Sequence, residues 1–350
     1  MTRALIEQLL EQHRNYFEMF AAQSEERERY HEEHPTNIAT FKCMDGRVNL
    51  SALTRTPIGI IRPFRNIGGI FDLGWSVLNA QIAKYVKTSE HVKGRRVLFL
   101  VTYHYAKGNP ERGCRGHKYD VGEAVRCARR QVEQIRRVFR GHAGIDALLV
   151  GVETDHQTLI FHGRDRQRVS MAGLNGDEGA ADDVIRALYP DIHPELVPDL
   201  APLMRGNIRH IRDLKRAEHE IEDREHRERI IAVGDGFEWI KYNGALAIND
   251  LELTLDDTIG MAAGIIKDNL ESGRIPSGKA LLFASVSYKD DAGVSYMRQL
   301  AIERARYLTR LGLESVRKFH PDLHGRFEAL TCVMRWQDRR LEVIERPSWR

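Results

Sequence analysis

Two nearly continuous apolar runs, VLFLV at 97–101 and ALLVGV at 147–152, constrain the fold more than any other feature of this chain. Strands that read as unbroken Val, Leu and Phe, without an apolar–polar alternation, are buried on both faces, as in a parallel sheet covered by helices. Further short β-rich runs, NIATFKC (37–43), PIGIIRPFRN (57–66), the full RVLFLVTYH (96–104) and IDALLVGVET (145–154), and TLIFHG (158–163), are spaced by helical patterns over 73–88 and 120–140. The second helix carries Val121, Val125, Ala128, Val132, Ile135 and Phe139 at alternating steps of four and three, which places them on one face. Strand and helix in alternation predict an α/β domain with a mostly parallel sheet.

Before it, residues 4–34 form an expected helical arm with an apolar stripe (Leu5, Ile6, Leu9, Leu10, Tyr16, Phe17, Phe20), ended by Pro35. After it, the Pro-containing stretch 189–202 reads as a connector into a charged helix over 206–230. IIAVGDGFEWI (230–240), ALAIND (245–250), a helix near 257–271, ALLFASVSY (280–288) and a helix near 293–312 then repeat the order of the first domain, with Asp235-Gly236 where Asp45-Gly46 stands. The expected organisation is an arm at 1–35, a first domain at 36–205 and a duplicate at 206–350.

Composition narrows function by exclusion. Lys plus Arg number 53 against 50 acidic residues, so the +3 net charge on 350 residues is too small for a dedicated nucleic-acid binder, and the basic face of the 120–140 helix reads as solvated. No stretch approaches the ~20 apolar residues of a bilayer span, and the N-terminus does not resemble a signal peptide, so no membrane partner is expected. Four cysteines, Cys43, Cys114, Cys127 and Cys332, are too few and scattered for a disulfide framework.

The candidates for chemistry stand at strand ends, where a doubly wound sheet opens its binding crevice. Cys43-Met44-Asp45-Gly46-Arg47 follows the first strand, and alternation would put the thiol, carboxylate and guanidinium on one side, with Asp45 and Arg47 able to pair. Core packing plus a turn ion pair is an equal reading of that pentapeptide. His104 ends the VLFLVTY strand, and a Gly/Asn/Pro-rich loop leads from it to Cys114. Cys43, His104 and Cys114 would make a Cys2His set open at its fourth position, the arrangement of a catalytic zinc, while Cys114-x2-His117 leaves a closed Cys2His2 set as the other option. Arg65-Asn66-Ile67-Gly68-Gly69 would let backbone approach a small ligand or would serve an ordinary turn, and His156 and His162 flank the last strand without an assignable partner.

Cys-x-Asp-x-Arg at a strand end, then Arg-Asn-x-Gly-Gly, then a strand ending in His with a downstream Cys, resembles the β-class carbonic anhydrases. Nine residues separate His104 from Cys114 where most members have two, and with the GC-x-GH form, LLVGVETDHQTLIFH and VGDGFEW this resembles the carboxysome shell branch. The resemblance implies a catalytic domain followed by a second, degenerate copy of the fold, in which Val233, Phe237 and Tyr288 stand for Cys43, Arg47 and His104. It implies one Zn2+ per chain on Cys43, His104 and Cys114, with Asp45 and Arg47 as the catalytic dyad in the reversible hydration of CO2 to bicarbonate. It further implies a homodimer or a multiple of dimers, with carboxysome components as candidate partners. That branch carries a long N-terminal extension linked to packaging, which has no counterpart before Cys43, so a cytoplasmic location is expected alongside the carboxysomal one. The alternatives are a hydrolase of carbonyl sulfide or carbon disulfide at the same site, and a non-catalytic assembly protein stabilised by zinc.

Overall fold

The computed structural model describes residues 2–92, 94–142, 144–163, 166–216, 226–240, 244–275, 279–289, 296–323 and 325–347. The chain divides into two compact units, Ser24–Glu225 and Met1–Gln23 together with His226–Arg350.

The first unit is built on a six-stranded sheet in the order β2-β1-β3-β4-β5-β6. Its strands are β1 (Asn37–Cys43), β2 (Ile61–Asn66), β3 (Val97–Tyr105), β4 (Ile145–Glu153), β5 (Thr158–His162) and β6 (Arg168–Ser170). The first four are parallel, and β5 and β6 add antiparallel strands at one edge. β3 and β4 are the two apolar runs, and Val97–Val101 are all at most 1 % exposed, as double-sided burial requires. Helix α5 (Val121–Val138) begins at Asp120, whose side chain accepts from the Glu123 amide. The short α3 (Leu50–Thr54) lies between β1 and β2, and α4 (Ser76–Lys87) is the other expected helix of this region. Strand β2 is shorter than its sequence run because the Ile60 amide donates to the Pro57 carbonyl and makes a turn of the first residues.

The connector is partly helical. Helix α6 (Ala181–Leu188) precedes it, and helix α7 (Val197–Arg216) starts within it and contains Pro202. Part of the expected charged helix, 217–225, lies outside the described residues. Proline is tolerated in the first turn, so Pro198 fits the start of α7, and the apolar residues Leu200, Leu203, Met204 and Ile208 that anchor it are buried. Asn207 ties α7 to the sheet. Its Oδ1 accepts from the Leu159 amide at 2.8 Å, and its Nδ2 donates to the carbonyls of Leu53 at 2.9 Å and Gln157 at 3.0 Å.

The second unit repeats the plan. Its sheet runs β11-β10-β9-β7-β8, with β7 (Ile230–Gly234), β8 (Ala245–Ile248), β9 (Ala280–Tyr288) and β10 (Phe327–Arg335) parallel and β11 (Arg340–Glu345) antiparallel. Read from the other edge, the order is that of β2-β1-β3-β4-β5. Helices α8 (Leu255–Glu271) and α9 (Tyr296–Phe319) stand in the same places between strands as α4 and α5. The expected helix start at 293–295 lies outside the described residues. Helix α1 (Thr2–Ala22) belongs to this unit, where buried His13 shares a hydrogen bond of 2.9 Å with the Arg339 carbonyl, and α2 (Ser24–Glu33) belongs to the first.

Register corrects one equivalence. Ile38 pairs with Leu98 in the first sheet and Ile230 with Leu281 in the second. Aligning Asp235 with Asp45 therefore puts Ser285, not Tyr288, in the place of His104. Phe237 stands where Arg47 would, so Asp235 lacks that arginine. Burial pushes its carboxyl up to about 6, against a hydrogen bond from the Ser287 amide and with added repulsion from Asp250 and Glu238.

Asn207→Ala should cost about 3 kcal/mol in urea unfolding, because three backbone groups, those of Leu53 and Leu159 buried, lose their partners, and a loss under about 0.5 kcal/mol would contradict this role. Asp235 binds its proton more tightly folded than unfolded, so its contribution to stability falls as pH rises from about 4 through about 6. Asp235→Asn should thus stabilise the protein at pH 8 by roughly 1–3 kcal/mol and leave it unchanged at pH 4. Equal effects at both pH values would show that the carboxylate is not the cause.

Candidate metal centre

β1 and β3 lie side by side at the place where the strand order reverses, β2 continuing to one side and β4 to the other. Side chains at the carboxyl ends of such a pair face the crevice of a doubly wound sheet. Cys43 is the last residue of β1 and His104 the last but one of β3. The loop after β3 returns Cys114 to them, at the start of a short turn formed by Arg115–His117. One donor atom from each of Cys43, His104 and Cys114 lies within 4.8 Å of the others. The two sulfurs are 3.9 Å apart and both cysteines are free, far from the ~2.05 Å of a disulfide.

Backbone packing makes this convergence possible. A Cβ on Gly69 would come within 3.1 Å of the Thr102 carbonyl and 3.3 Å of the Cys43 nitrogen. One on Gly116 would come within 2.6 Å of the Gly68 nitrogen. The Arg-Asn-x-Gly-Gly segment is thus explained by contact between backbones. Asn66 holds its turn by donating to the Ile70 carbonyl at 2.6 Å, and Gln131 of α5 donates to the Gly69 carbonyl at 2.9 Å.

All three side chains are buried, His104 at 2 % exposure. Among the described residues nothing hydrogen-bonds either buried ring nitrogen of His104, which is costly for an imidazole unless another partner joins it. The thiols respond to each other. A hydrogen bond from Cys114 holds the Cys43 thiol well below its usual range, and the charge of His104 assists against the cost of burial. The same bond, with burial, drives the Cys114 thiol well above it. Sulfur and imidazole donors in this number fit a zinc ion with its fourth position open.

Asp45 stands beside the cluster, its Oδ2 3.9 Å from His104 Nε2. β1 ends at Cys43, so Asp45 and Arg47 sit in a turn and not on a continued strand. Within that turn the Arg47 amide donates to Asp45 Oδ1 at 2.8 Å. Its guanidinium adds Nη2 to Oδ2 at 2.7 Å and Nε to both oxygens at 3.1 and 3.2 Å. A fork of this kind fixes both the ionisation and the direction of a carboxylate. Beside His104 and Cys114 opens a cavity of about 50 Å³, lined also by Ala106, Pro110, Gly113 and Tyr119, room for a molecule of a few heavy atoms.

His117 is not part of the cluster. Its Nε2 shares a hydrogen bond of 2.9 Å with the Gly68 carbonyl, which fixes the turn behind Cys114. His162 pairs with the Tyr103 hydroxyl at 2.8 Å, and burial, aided by Arg129 and Arg168, pushes its imidazole down to about 4. His156 Nδ1 lies 2.6 Å from Glu153 Oε2. The basic face of α5 is neutralised in part, Arg126 and Arg130 by Glu123 and Arg136 by Asp146. Sequence reading passed over Lys42, buried with its Nζ donating to the Asp45 carbonyl, and over Glu153 and Asp155, two buried acids at the end of β4. Two carboxylates at a strand's carboxyl end were the available signal.

Residues 28–172 match the family model of the carboxysome shell carbonic anhydrase catalytic domain. No protein with a curated description matches the chain. The matched segment contains Cys43, Asp45, Arg47, His104 and Cys114. His117→Ala should cost about 1 kcal/mol of stability, the worth of one buried hydrogen bond, and leave zinc binding in an equilibrium titration intact. Loss of the metal with the fold retained would restore His117 as a ligand.

Proposed function

We propose that this chain, whose residues 28–172 belong to the carboxysome shell carbonic anhydrase family, catalyses the reversible hydration of CO2 to bicarbonate on one Zn2+ held by Cys43, His104 and Cys114. The observation that carries the reading is the convergence of those three buried donors beside an Asp45–Arg47 pair, within a segment matched as a catalytic domain. A purely structural zinc would need no oriented carboxylate next to it.

Zinc bound there would bring the pKa of a water ligand from 15.7 to about 7 and so supply a nucleophile at neutral pH. The rest falls to the protein. Asp45, kept ionised by Arg47, is an acceptor only, so a water between it and the cluster must point its proton at Asp45. That orientation turns an oxygen lone pair away from the carboxylate and toward the carbon of CO2. As the C–O bond forms, one C=O π pair moves onto its oxygen, bicarbonate leaves, and the net proton passes to solvent. The cavity of about 50 Å³ has room for a linear triatomic molecule. Among the described residues no helix is long and apolar enough to cross a membrane. The family points to action in the cytoplasm and carboxysome, with carboxysome components as partners and a homodimer or a multiple of dimers as the assembly.

Stopped-flow hydration of CO2 should be fast and abolished by a zinc chelator. Cys43→Ser, His104→Ala and Cys114→Ser should each lose zinc and rate together, and one zinc per chain in any of them would mean a wrong ligand. Asp45→Asn and Arg47→Ala should keep zinc and lose about 10²-fold or more in rate. Unchanged turnover in both would remove the pair from the reaction.

A further inference from the structure

The loop between His104 and Cys114 is tied down by the two buried acids at the end of β4. Glu153 Oε1 accepts from the Lys107 amide at 3.2 Å and from the Asp155 amide at 2.9 Å. Asp155 Oδ2 accepts from the Gly108 amide at 2.7 Å and from Arg112 Nη2 at 3.3 Å. Asp155 is 5 % exposed, and the Arg112 side chain is 15 % exposed, so this ion pair is shielded from water and salt. The Arg112 carbonyl in turn accepts from Arg47 Nη2 at 2.8 Å. Arg47 Nη2 therefore serves both Asp45 Oδ2 and the Arg112 carbonyl. Two residues beyond that carbonyl stands Cys114.

We infer that Asp155 and Arg112 are positioning residues, a clamp that holds the Arg112 carbonyl against Arg47 and thereby keeps the Arg47 guanidinium engaged with Asp45. The inference rests on the carbonic anhydrase reading for its effect on rate, but the clamp itself acts through the orientation of Asp45 beside the metal. If the carbonyl moves, the guanidinium loses an Nη2 acceptor and its hold on the direction of Asp45 is weakened. The ends of four chain segments, β1, β3, β4 and the loop, are in this way coupled to the orientation of one carboxylate.

The test uses the full chain, loaded with zinc for rates and with cobalt(II) for absorption spectra. Arg112→Ala and Asp155→Asn should keep one metal per chain, lower kcat by about tenfold or more with KM little changed, and give the cobalt spectrum of Arg47→Ala. Arg112→Lys, which keeps the charge opposite Asp155, should recover the rate to within about threefold. In an Arg47→Ala background, Arg112→Ala should change the rate by less than about twofold, because both act through one contact. Rates within about twofold of wild type together with a wild-type cobalt spectrum would overturn the inference. Loss of metal from both Arg112→Ala and Asp155→Asn would also overturn it, since the pair would then be holding Cys114 and not Arg47. A wild-type protein that binds cobalt but does not hydrate CO2 would refute the proposed reaction alone, and the cobalt comparison would still decide the clamp.

Discussion

Two thiols and an imidazole share a buried space in which their donor atoms lie within 4.8 Å of one another, and among the described residues no hydrogen bond reaches either nitrogen of the imidazole. Such a set is expensive in a protein interior unless a cation joins it. Much of the local structure of the first unit serves this convergence. Parallel pairing of β1 with β3 sets Cys43 and His104 side by side. The close approach of Gly69 and Gly116 to neighbouring backbone brings the turn carrying Cys114 down onto them. Glu153 and Asp155 fix the intervening loop from a third strand. The parallel α/β sheet supplies the general location, and a few backbone contacts supply the precision.

The second unit shows what the same sheet becomes without those side chains. Its strand order is that of the first, yet Val233, Phe237 and Ser285 occupy the places of Cys43, Arg47 and His104. The aspartate survives in both copies under opposite conditions. Asp45 is held by an arginine fork, whereas Asp235 has burial and two carboxylates around it, which push its carboxyl up to about 6. The partner set, and not the position in the fold, decides what a strand-end carboxylate can do.

Much of this was legible in the sequence because its signals are local. Unbroken apolar runs marked β3 and β4, the 3–4 spacing marked α5, and strand-end placement drew attention to Cys43, Asp45, Arg47 and His104. Cys114 needed more, since a loop of nine residues can return to many places, and the nearby His117 left a closed Cys2His2 set as an alternative to the open one. The start of α7 was obscured by Pro198, which a helix tolerates in its first turn, and by Pro202 further in, which together read as a connector. Strands β10 and β11 lay beyond the runs singled out, and β6 is only three residues long. The clamp at Asp155 and Arg112 was hidden for a different reason. The acids at the end of β4 are visible in the sequence, but the link to Arg47 runs through a main-chain carbonyl, which any residue carries.

Zinc K-edge X-ray absorption on the purified protein tests the central claim most directly. Two sulfur neighbours at about 2.3 Å with two nitrogen or oxygen neighbours at about 2.0 Å are expected for Cys43, Cys114, His104 and an exchangeable fourth ligand. A single sulfur, or a first shell of nitrogen and oxygen alone, would contradict the assignment of the metal to this cluster.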